Sequence, residues 1–316
     1  MALTVIRPGL LTTIQDLGRF GFQKYGVIAS GAMDPLSHRI ANLLVGNPEQ
    51  EATLEITMVG PLIEFSVPTL IAICGGDLSP ALDGVSIPMY KPVLAEKGSR
   101  LSFGKARNGC RTYLAVAGGF SIAPTMNSKS TYLRAGIGGY NGRALQAGDI
   151  IPCKEWTKRV PLPANWGASR VFRIKQGPIR AIKGKEFPLF SAKSQTDFFS
   201  QPFSVTLNSD RMGYRLSGPK LTLQKPTELV SEAVSFGTIQ VPSDGNPIAL
   251  LADRQTTGGY PRIAAIISVD LPNIAQAKPR DTISFQEIPL AKAQQLYIKQ
   301  ELDIKELKAR LSLIYK

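Results

Sequence analysis

Two short polar segments in the C-terminal half combine acidic, basic, hydroxyl and aromatic residues in the way that binding sites do. They are residues 209–215 (SDRMGYR) and 253–261 (DRQTTGGYP), and each contains an Asp-Arg pair close to glycine and tyrosine. The second segment lies between two apolar runs that are typical of buried strands. A concentration of hydrogen-bonding groups between buried segments predicts a binding site.

The residue types in these segments suit a small substrate that carries a carboxylate. Arg211 and Arg254 would bind that carboxylate through paired hydrogen bonds. Asp210 and Asp253 are the predicted catalytic residues, which would accept a proton or orient a water molecule. The polar groups expected to contact the substrate beside them are Ser209, Gln255, Thr256, Thr257 and Tyr260. The alternative is that each aspartate caps its own turn and each arginine pairs with a neighbouring carboxylate.

Three segments of the N-terminal half carry further candidate ligands for a phosphate or a carboxylate. Asp16 and Arg19 form a weaker Asp-Arg pair. Lys129 and Ser130 lie in a run of hydroxyl groups that is equally typical of a solvated loop. A glycine-rich segment that ends at Arg143 would present backbone N–H groups to an anion. Because it has neither dinucleotide-binding nor P-loop spacing, we predict no independent ATP site of the P-loop type.

Histidine and cysteine usage excludes several kinds of catalytic site. The chain has one histidine, His38, and three widely spaced cysteines. Two-histidine metal sites are therefore excluded, the cysteine spacing fits no zinc motif, and no residue is predicted as a metal ligand; whether the chain requires a metal stays open. The sequence also contains no long apolar run and no signal-peptide pattern at its N-terminus, so we expect a cytoplasmic protein without membrane contact.

The positive charge is concentrated in one region. The net charge is +13, and residues 151–190 contain nine lysines and arginines against two acids. No helix-turn-helix, RNA-binding or basic amphipathic pattern accompanies this charge, so we expect no nucleic-acid partner. An acidic protein surface is the expected partner of this region.

Length and turn spacing predict two β-rich domains. A chain of 316 residues suits two domains of ordinary size. Many short β-rich runs separated by glycine and proline are typical of barrels or sandwiches. Only residues 35–45, with Asp34 as N-cap and Gly46 as the terminating residue, and the C-terminal tail predict substantial helices. Matching Gly-Pro, Pro-Thr and Asp-Gly pairs about one domain apart indicate an internal duplication.

These features give four predicted regions. They are an N-terminal β-barrel domain (1–153) with a helix at 35–45, a basic proline-rich linker (154–168), a C-terminal β-barrel domain (169–288) and a helical tail (289–316). The predicted fold class is therefore mainly β, with two barrel domains and few helices.

Seven segments spread along the chain resemble the biotin-dependent carboxyltransferase/allophanate hydrolase subunit 2 family, and most closely its 5-oxoprolinase branch. The segments are residues 12–19 (TTIQDLGR), 30–34 (SGAMD), 41–47 (ANLLVGN), 54–57 (LEIT), 113–119 (YLAVAGG), 209–216 (SDRMGYRL) and 253–261 (DRQTTGGYP).

The resemblance implies cyclophilin-like β-barrel domains and a role in a complex. It implies one component of an ATP-dependent enzyme that hydrolyses 5-oxo-L-proline to L-glutamate, together with a Kip inhibitor-like B subunit and the A subunit of 5-oxoprolinase. Which component binds ATP stays open. At Lys129 the family often has arginine, and lysine lacks the planar guanidinium that binds a carboxylate at two points.

Two alternatives are compatible with the same segments. One is carboxyl transfer to urea or a related amide, although the chain contains no Met-Lys-Met string for biotin attachment. The other is a non-catalytic antagonist that binds a Kip inhibitor-like protein and thereby relieves the inhibition of a sensor kinase.

Overall fold

The computed structural model describes residues 1–156, 167–168 and 177–315. Most of the predicted linker (154–168) and the first residues of the predicted C-terminal domain (169–288) lie outside the described residues. The chain forms two compact units. Unit 1 comprises Met1–Arg19, Ser30–Ile174 and Leu302–Lys316, and unit 2 comprises Phe20–Ala29 and Lys175–Glu301.

Unit 1 is built from two antiparallel sheets. Its strands in the described residues are β1 (Ala2–Arg7), β2 (Leu11–Gln15), β3 (Thr53–Thr57), β4 (Leu62–Phe65), β5 (Thr69–Asp77), β6 (Pro80–Leu82), β7 (Val85–Ser86), β8 (Pro92–Ala95), β9 (Arg100–Phe103), β10 (Asn108–Val116) and β11 (Ile150–Pro152). One sheet has the order β11-β1-β4-β9-β6-β7, and the other has the order β2-β3-β10-β5-β8.

An apolar core lies between the two sheets of unit 1. Strand β1 contributes alternate residues to it, Leu3 and Val5, because successive side chains of a strand point to opposite faces. Strand β5 is buried along almost its whole length. Its residues Ile71 and Ile73 join this core, whereas Cys74 belongs to a second apolar cluster beside a helix. The continuous apolar run of β5 thus reflects burial on both faces.

That helix is α1 (Pro35–Leu44), and its predicted boundaries are confirmed to within one residue. The side chain of Asp34 accepts a hydrogen bond from the backbone N–H of Ser37 at 2.9 Å, which makes it the N-cap. Proline begins the helix, and Gly46 follows its end with φ of 76°.

The predicted C-terminal helix is also confirmed, as the last helix of the chain, α4 (Leu290–Ile314). Within unit 1, its residues Ile304 and Leu311 are buried in the same cluster as α1. Tyr315 follows the helix, and its hydroxyl donates a hydrogen bond to the carbonyl of Leu44. The end of the chain is therefore packed on the barrel of unit 1.

Unit 2 contains one large sheet and a separate two-stranded ribbon. Its strands in the described residues are β12 (Ile179–Lys183), β13 (Phe203–Val205), β14 (Gly213–Ser217), β15 (Glu232–Ala233), β16 (Thr238–Gln240), β17 (Ile248–Leu250), β18 (Thr257–Gly258), β19 (Arg262–Ile266), β20 (Thr282–Ile283) and β21 (Phe285–Glu287). The eight-stranded sheet has the order β20-β13-β14-β17-β16-β19-β12-β21 and forms a nearly closed barrel, while β15 pairs with β18.

Short helices complete unit 2. They are α2 (Ala192–Ser200), α3 (Leu271–Ala275) and the 3-10 helices at Gln23–Tyr25, Phe187–Leu189 and Ser268–Asp270. Phe198 of α2 stacks on Phe285 of β21 with ring centroids 4.8 Å apart, which packs this helix against the sheet. The prediction of a mainly β fold with two barrel domains and few helices is confirmed. Among the described residues, no helix is long and apolar enough to cross a membrane.

The single histidine is part of the packing of unit 1. His38 of α1 is fully buried, and its Nδ1 lies 2.9 Å from the hydroxyl oxygen of Thr53 on β3. Burial disfavours the charged imidazolium and lowers the pKa of His38 from 6.5 to about 4, although the charges of Asp16 and Glu55 act in the opposite direction.

This burial predicts a pH dependence of stability that a His38→Gln variant lacks. Between pH 6.5 and about 4, the unfolded chain binds a proton at His38 that the folded chain does not bind, so lowering the pH destabilises the fold. We expect the wild type to lose about 2 kcal/mol more unfolding free energy than the variant between pH 7.5 and 5. Urea unfolding curves at both pH values measure this difference, and parallel losses in the two proteins would contradict it.

Candidate functional site

The candidate residues of the N-terminal half form one hydrogen-bonded cluster in unit 1. The carboxylate of Asp16 accepts hydrogen bonds from the hydroxyls of Ser128 at 2.8 Å and Ser130 at 2.5 Å, and from the backbone N–H of Lys129 at 2.5 Å. It also accepts the N–H of Gly18. Asp16 therefore fixes the loop at residues 128–130, and its oxygens are already bound to protein donors.

Arg19 also binds this loop. Its side chain is fully buried, and it donates to the carbonyls of Thr125 at 3.0 Å and Ser130 at 2.8 Å. A buried guanidinium that donates to carbonyls orders the backbone through several hydrogen bonds at once. Together with Asp16, it makes residues 125–130 a rigid part of unit 1.

The lysine predicted to bind substrate is paired with a carboxylate that was not among the predicted site residues. The Nζ atom of Lys129 lies 2.5 Å from Glu51 and 3.1 Å from the carbonyl oxygen of Phe120. Lys154 also donates to Glu51 at 2.7 Å. Burial raises the pKa of Glu51, but hydrogen bonds from the two lysines outweigh burial and hold the pKa below its ordinary value.

Close backbone packing explains the glycine-rich segment. A Cβ atom on Gly138 would lie 2.1 Å from the carbonyl oxygen of Ser130, and one on Gly139 would lie 1.9 Å from the hydroxyl of Thr131. The N–H of Gly139 donates to the carbonyl of Lys129, and Arg143 forms two 2.7 Å hydrogen bonds with the carboxylate of Asp149. These contacts connect the segment to the loop that Asp16 and Arg19 hold.

In unit 2, the two Asp-Arg segments lie next to each other. Arg211 and Asp253 form a buried ion pair with two hydrogen bonds of 3.0 Å each, and the N–H of Asp253 donates to the carbonyl of Arg211 at 2.8 Å. For Arg211, this pairing is the alternative to substrate binding that the sequence left open. Asp253, a predicted catalytic residue, is therefore held in a fixed position just after β17, beside the residues that lead into β14.

Asp210, the aspartate of the first polar segment, caps a turn. A carboxylate oxygen of Asp210 accepts the N–H groups of Met212 at 2.8 Å and Gly213 at 3.3 Å, which leads the chain into β14. The hydroxyl of Ser209 accepts the N–H of Arg215 at 3.1 Å, beside the same turn. Both residues are thus built into the entrance of the strand.

Arg254 differs from Arg211 and Arg143 because it has no acidic partner among the described residues. Its guanidinium donates to the carbonyls of Val234 at 3.2 Å and Leu251 at 3.3 Å, and it lies 5.8 Å from the ring centroid of Phe236. Desolvation lowers the pKa of Arg254. A partly desolvated positive charge of this kind suits an anionic ligand.

The segment that follows Arg254 presents polar groups at the surface. Gln255, Thr257 and Tyr260 are exposed, and Thr256 is partly buried. Tyr260 lies between two cavities of unit 2, of about 910 Å³ and about 410 Å³, and lines both. The smaller cavity is also lined by Arg262, which pairs with Glu186 and Glu232.

Some residues of these sites were not predicted from the sequence. Arg262 follows the second segment immediately, so extending that segment by one residue would have included it. Glu51 and Phe236 carry no local signal, because each meets its partner only through the fold. Among the described residues, no group of three or more histidine, cysteine, aspartate or glutamate side chains is arranged to hold a metal ion.

The two barrel units and their arginine-containing clusters define a class of two-domain β protein, and comparison with known proteins gives its family. The family described as carboxyltransferase domain, subdomain A and B, matches residues 25–287, and the chain belongs to this family.

The relatives include bacterial proteins of similar length and large fungal enzymes. The chain is 40% identical to the C subunit of 5-oxoprolinase from Escherichia coli over 304 residues, covering 94% of this chain and 97% of that protein. Identity to the protein of the same name in Haemophilus influenzae is 38%, covering 94% of both chains. The crystal structure of K. lactis urea amidolyase matches with a TM-score of 0.89 and 31% identity, covering 97% of this chain and 20% of that one.

Packing of the glycine-rich segment predicts unequal effects of two similar substitutions. Gly138 and Gly136 both have positive φ, 69° and 65°, but only the Cβ atom of a residue at 138 would overlap neighbouring backbone. Gly136→Ala should cost about 1 kcal/mol of unfolding free energy from the backbone conformation alone, and Gly138→Ala about 1–3 kcal/mol more. Chemical denaturation of both variants measures the difference, and equal costs would contradict the packing.

The buried ion pair between Arg211 and Asp253 predicts that two similar arginine substitutions differ in their cost to stability. Arg211→Met leaves the buried carboxylate of Asp253 without this partner and should destabilise the protein by about 3–5 kcal/mol. Arg310→Met is the matched control, since Arg310 pairs with Glu306 on the exposed surface of α4 and should contribute less than about 1 kcal/mol. Thermal and chemical unfolding of both variants test this, and an Arg211→Met protein as stable as the control would contradict it.

Proposed function

We propose that this chain is one component of an ATP-dependent 5-oxoprolinase, which hydrolyses 5-oxo-L-proline to L-glutamate. The observation that carries the proposal is similarity over nearly the full length of two bacterial proteins named as the C subunit of 5-oxoprolinase. The proposed partners are a Kip inhibitor-like B subunit and the A subunit of 5-oxoprolinase. This arrangement fits a chain that has no P-loop of its own.

The chemistry of the reaction gives a reason for ATP and for arginine. An unstrained lactam is stable in water, and phosphorylation of its oxygen makes the carbonyl carbon open to attack by water. The substrate carries one carboxylate, and the guanidinium of Arg254 has the charge and the hydrogen-bond donors to bind it. In this proposal, Gln255, Thr257 and Tyr260 contact the substrate from the adjoining surface.

The fixed charges have supporting roles in the same proposal. Arg211 and Asp253 hold the backbone that leads into Arg254, because Asp253 precedes Arg254 and is bound at both its carboxylate and its N–H. Asp210 remains a predicted proton acceptor, whereas both carboxylate oxygens of Asp253 are held by Arg211, which gives Asp253 a positioning role. The loops of unit 1 are positioned by Asp16, Arg19, Lys129 and Ser130. In this proposal, the cofactor ATP binds to a partner protein.

Carboxyl transfer to urea is the second candidate, favoured by one observation. The chain is 36% identical to the urea amidolyase of Saccharomyces cerevisiae, covering 97% of this chain and 18% of that protein. In this reaction Arg254 would bind the carboxyl group that is transferred to the amide acceptor. Biotin would be carried by another protein.

Reconstitution from separate components tests the proposed function. We expect the purified A and B subunits to release glutamate from 5-oxoproline and ATP only when this chain is added, because a complete site needs all three proteins. Omission of each protein in turn is the control. Glutamate release that continues at the same rate without this chain would contradict the proposal, and urea-dependent ATP consumption with a biotin carboxylase would favour the second candidate.

A further inference from the structure

A separate polar cavity of about 300 Å³ lies on the sheet of unit 2, away from the Arg254 segment in sequence and lined by other residues. It lies across three neighbouring strands, because Arg215 of β14 is opposite Ile248 of β17, and the N–H of Thr206, just after β13, donates to the carbonyl of Arg215. The turn at Asp244 and Asn246 completes its wall. The cavity is therefore formed by regular strand pairing within one unit.

Arg215 gives this cavity an available positive charge. The residue belongs to the first polar segment of the sequence, yet it is separate from the Arg211–Asp253 pair. Its side chain is exposed, and among the described residues it makes no ion pair and no side-chain hydrogen bond. A guanidinium with free donors binds a carboxylate through two parallel hydrogen bonds.

Asp244 supplies the opposite charge in the same cavity. Its carboxylate oxygens accept the backbone N–H of Asn246 at 3.0 Å and its side-chain amide at 2.9 Å, and a carboxylate has further lone pairs for a ligand. These hydrogen bonds hold the pKa of Asp244 below its ordinary value, and the charges of Lys220 and Arg215 lower it further. Arg215 and Asp244 both line the cavity, and Lys220 lies beside the Asp244 turn, where its Cβ is 3.3 Å from the position that a Cβ on Gly245 would take.

The remaining lining groups are hydrogen-bonding side chains. Asn208, Ser217 and Asn246 offer amide and hydroxyl groups to the cavity. The hydroxyl of Thr206 is hidden from solvent and, within the described part of the chain, has no hydrogen-bond partner. A hidden hydroxyl without a partner calls for a ligand or a bound water at that point.

We propose that this cavity binds a free acidic α-amino acid. Arg215 would bind the α-carboxylate, Asp244 the ammonium group, and Lys220 would complement the second carboxylate by its charge. Two carboxylates and one ammonium match the charges of Arg215, Lys220 and Asp244. The cavity is large enough for a molecule of this size.

The charge pattern separates the product of the proposed reaction from its substrate. L-glutamate has an ammonium group, whereas the nitrogen of 5-oxoproline is part of an amide and carries no charge. Asp244 therefore favours the open amino acid over the lactam. The binding of an acidic amino acid is inferred from the cavity alone. The further step, that this amino acid is the enzyme's own product and acts as a feedback ligand, rests on the proposed function.

Calorimetric titration of the purified full chain with L-glutamate, without any other protein, tests this site. We expect one molecule bound per chain, with Arg215→Gln and Asp244→Asn each weakening binding by about tenfold or more. The exposed Arg310→Gln is the matched control and should leave binding unchanged. 5-Oxoproline and glutarate, which both lack the ammonium group, should bind at least about tenfold more weakly than L-glutamate.

The outcomes separate this inference from the proposed function. Absence of L-glutamate binding, or binding that Arg215→Gln does not weaken while its unfolding temperature is unchanged, would overturn the inference. Equal binding of glutarate and L-glutamate would also overturn it, since Asp244 would then contribute nothing. If binding is confirmed but the chain proves dispensable for glutamate release, the site stands and only its role as a product site is contradicted.

Discussion

Neutralisation of buried charge inside the protein is the constraint on which both candidate clusters depend. A charged group removed from water must find an opposite charge or several hydrogen bonds, or the fold loses several kcal/mol. In unit 1, Asp16 meets this requirement with hydroxyls and backbone N–H groups, and Arg19 meets it with carbonyls. In unit 2, Arg211 and Asp253 neutralise one another. In each unit, these hydrogen bonds and ion pairs fix a loop beside the barrel.

The same constraint separates the arginines by role. Those with internal partners, such as Arg211 and Arg143, are committed to holding the backbone in place. Arg254 has no acidic partner among the described residues and, unlike the fully buried Arg19, is only partly buried, so its charge is available to a ligand. The rigid pair at Arg211 and Asp253 matters for this reason, because it fixes the chain at the residue that precedes Arg254. Positioning and binding are thus divided between neighbouring residues of one motif.

The fold was predictable because its signals are local in the sequence. The site was only partly predictable, because its residues pair with partners far away in the sequence. Helix α1 was predictable because Asp34 and Gly46 mark its ends within the sequence itself. The density of polar residues located the two segments of unit 2, but not which aspartate would pair with which arginine. Lys129 and Glu51 are 78 positions apart and meet through the fold, so neither spacing nor composition identifies the pair. Residue type therefore predicted the chemistry, and tertiary structure decided which groups remain available.

The most direct test of the role of Arg254 is to measure the Michaelis constant for 5-oxoproline in an assembled enzyme that carries Arg254→Met. We expect an increase of about 10- to 100-fold, because the variant removes the charged donors to the substrate carboxylate, with partial recovery in Arg254→Lys. The exposed Arg310→Met should leave the constant unchanged, and the Arg254 variant should still fold and assemble with its partners. An unchanged Michaelis constant in a folded, fully assembled Arg254→Met enzyme would show that Arg254 does not bind the substrate carboxylate.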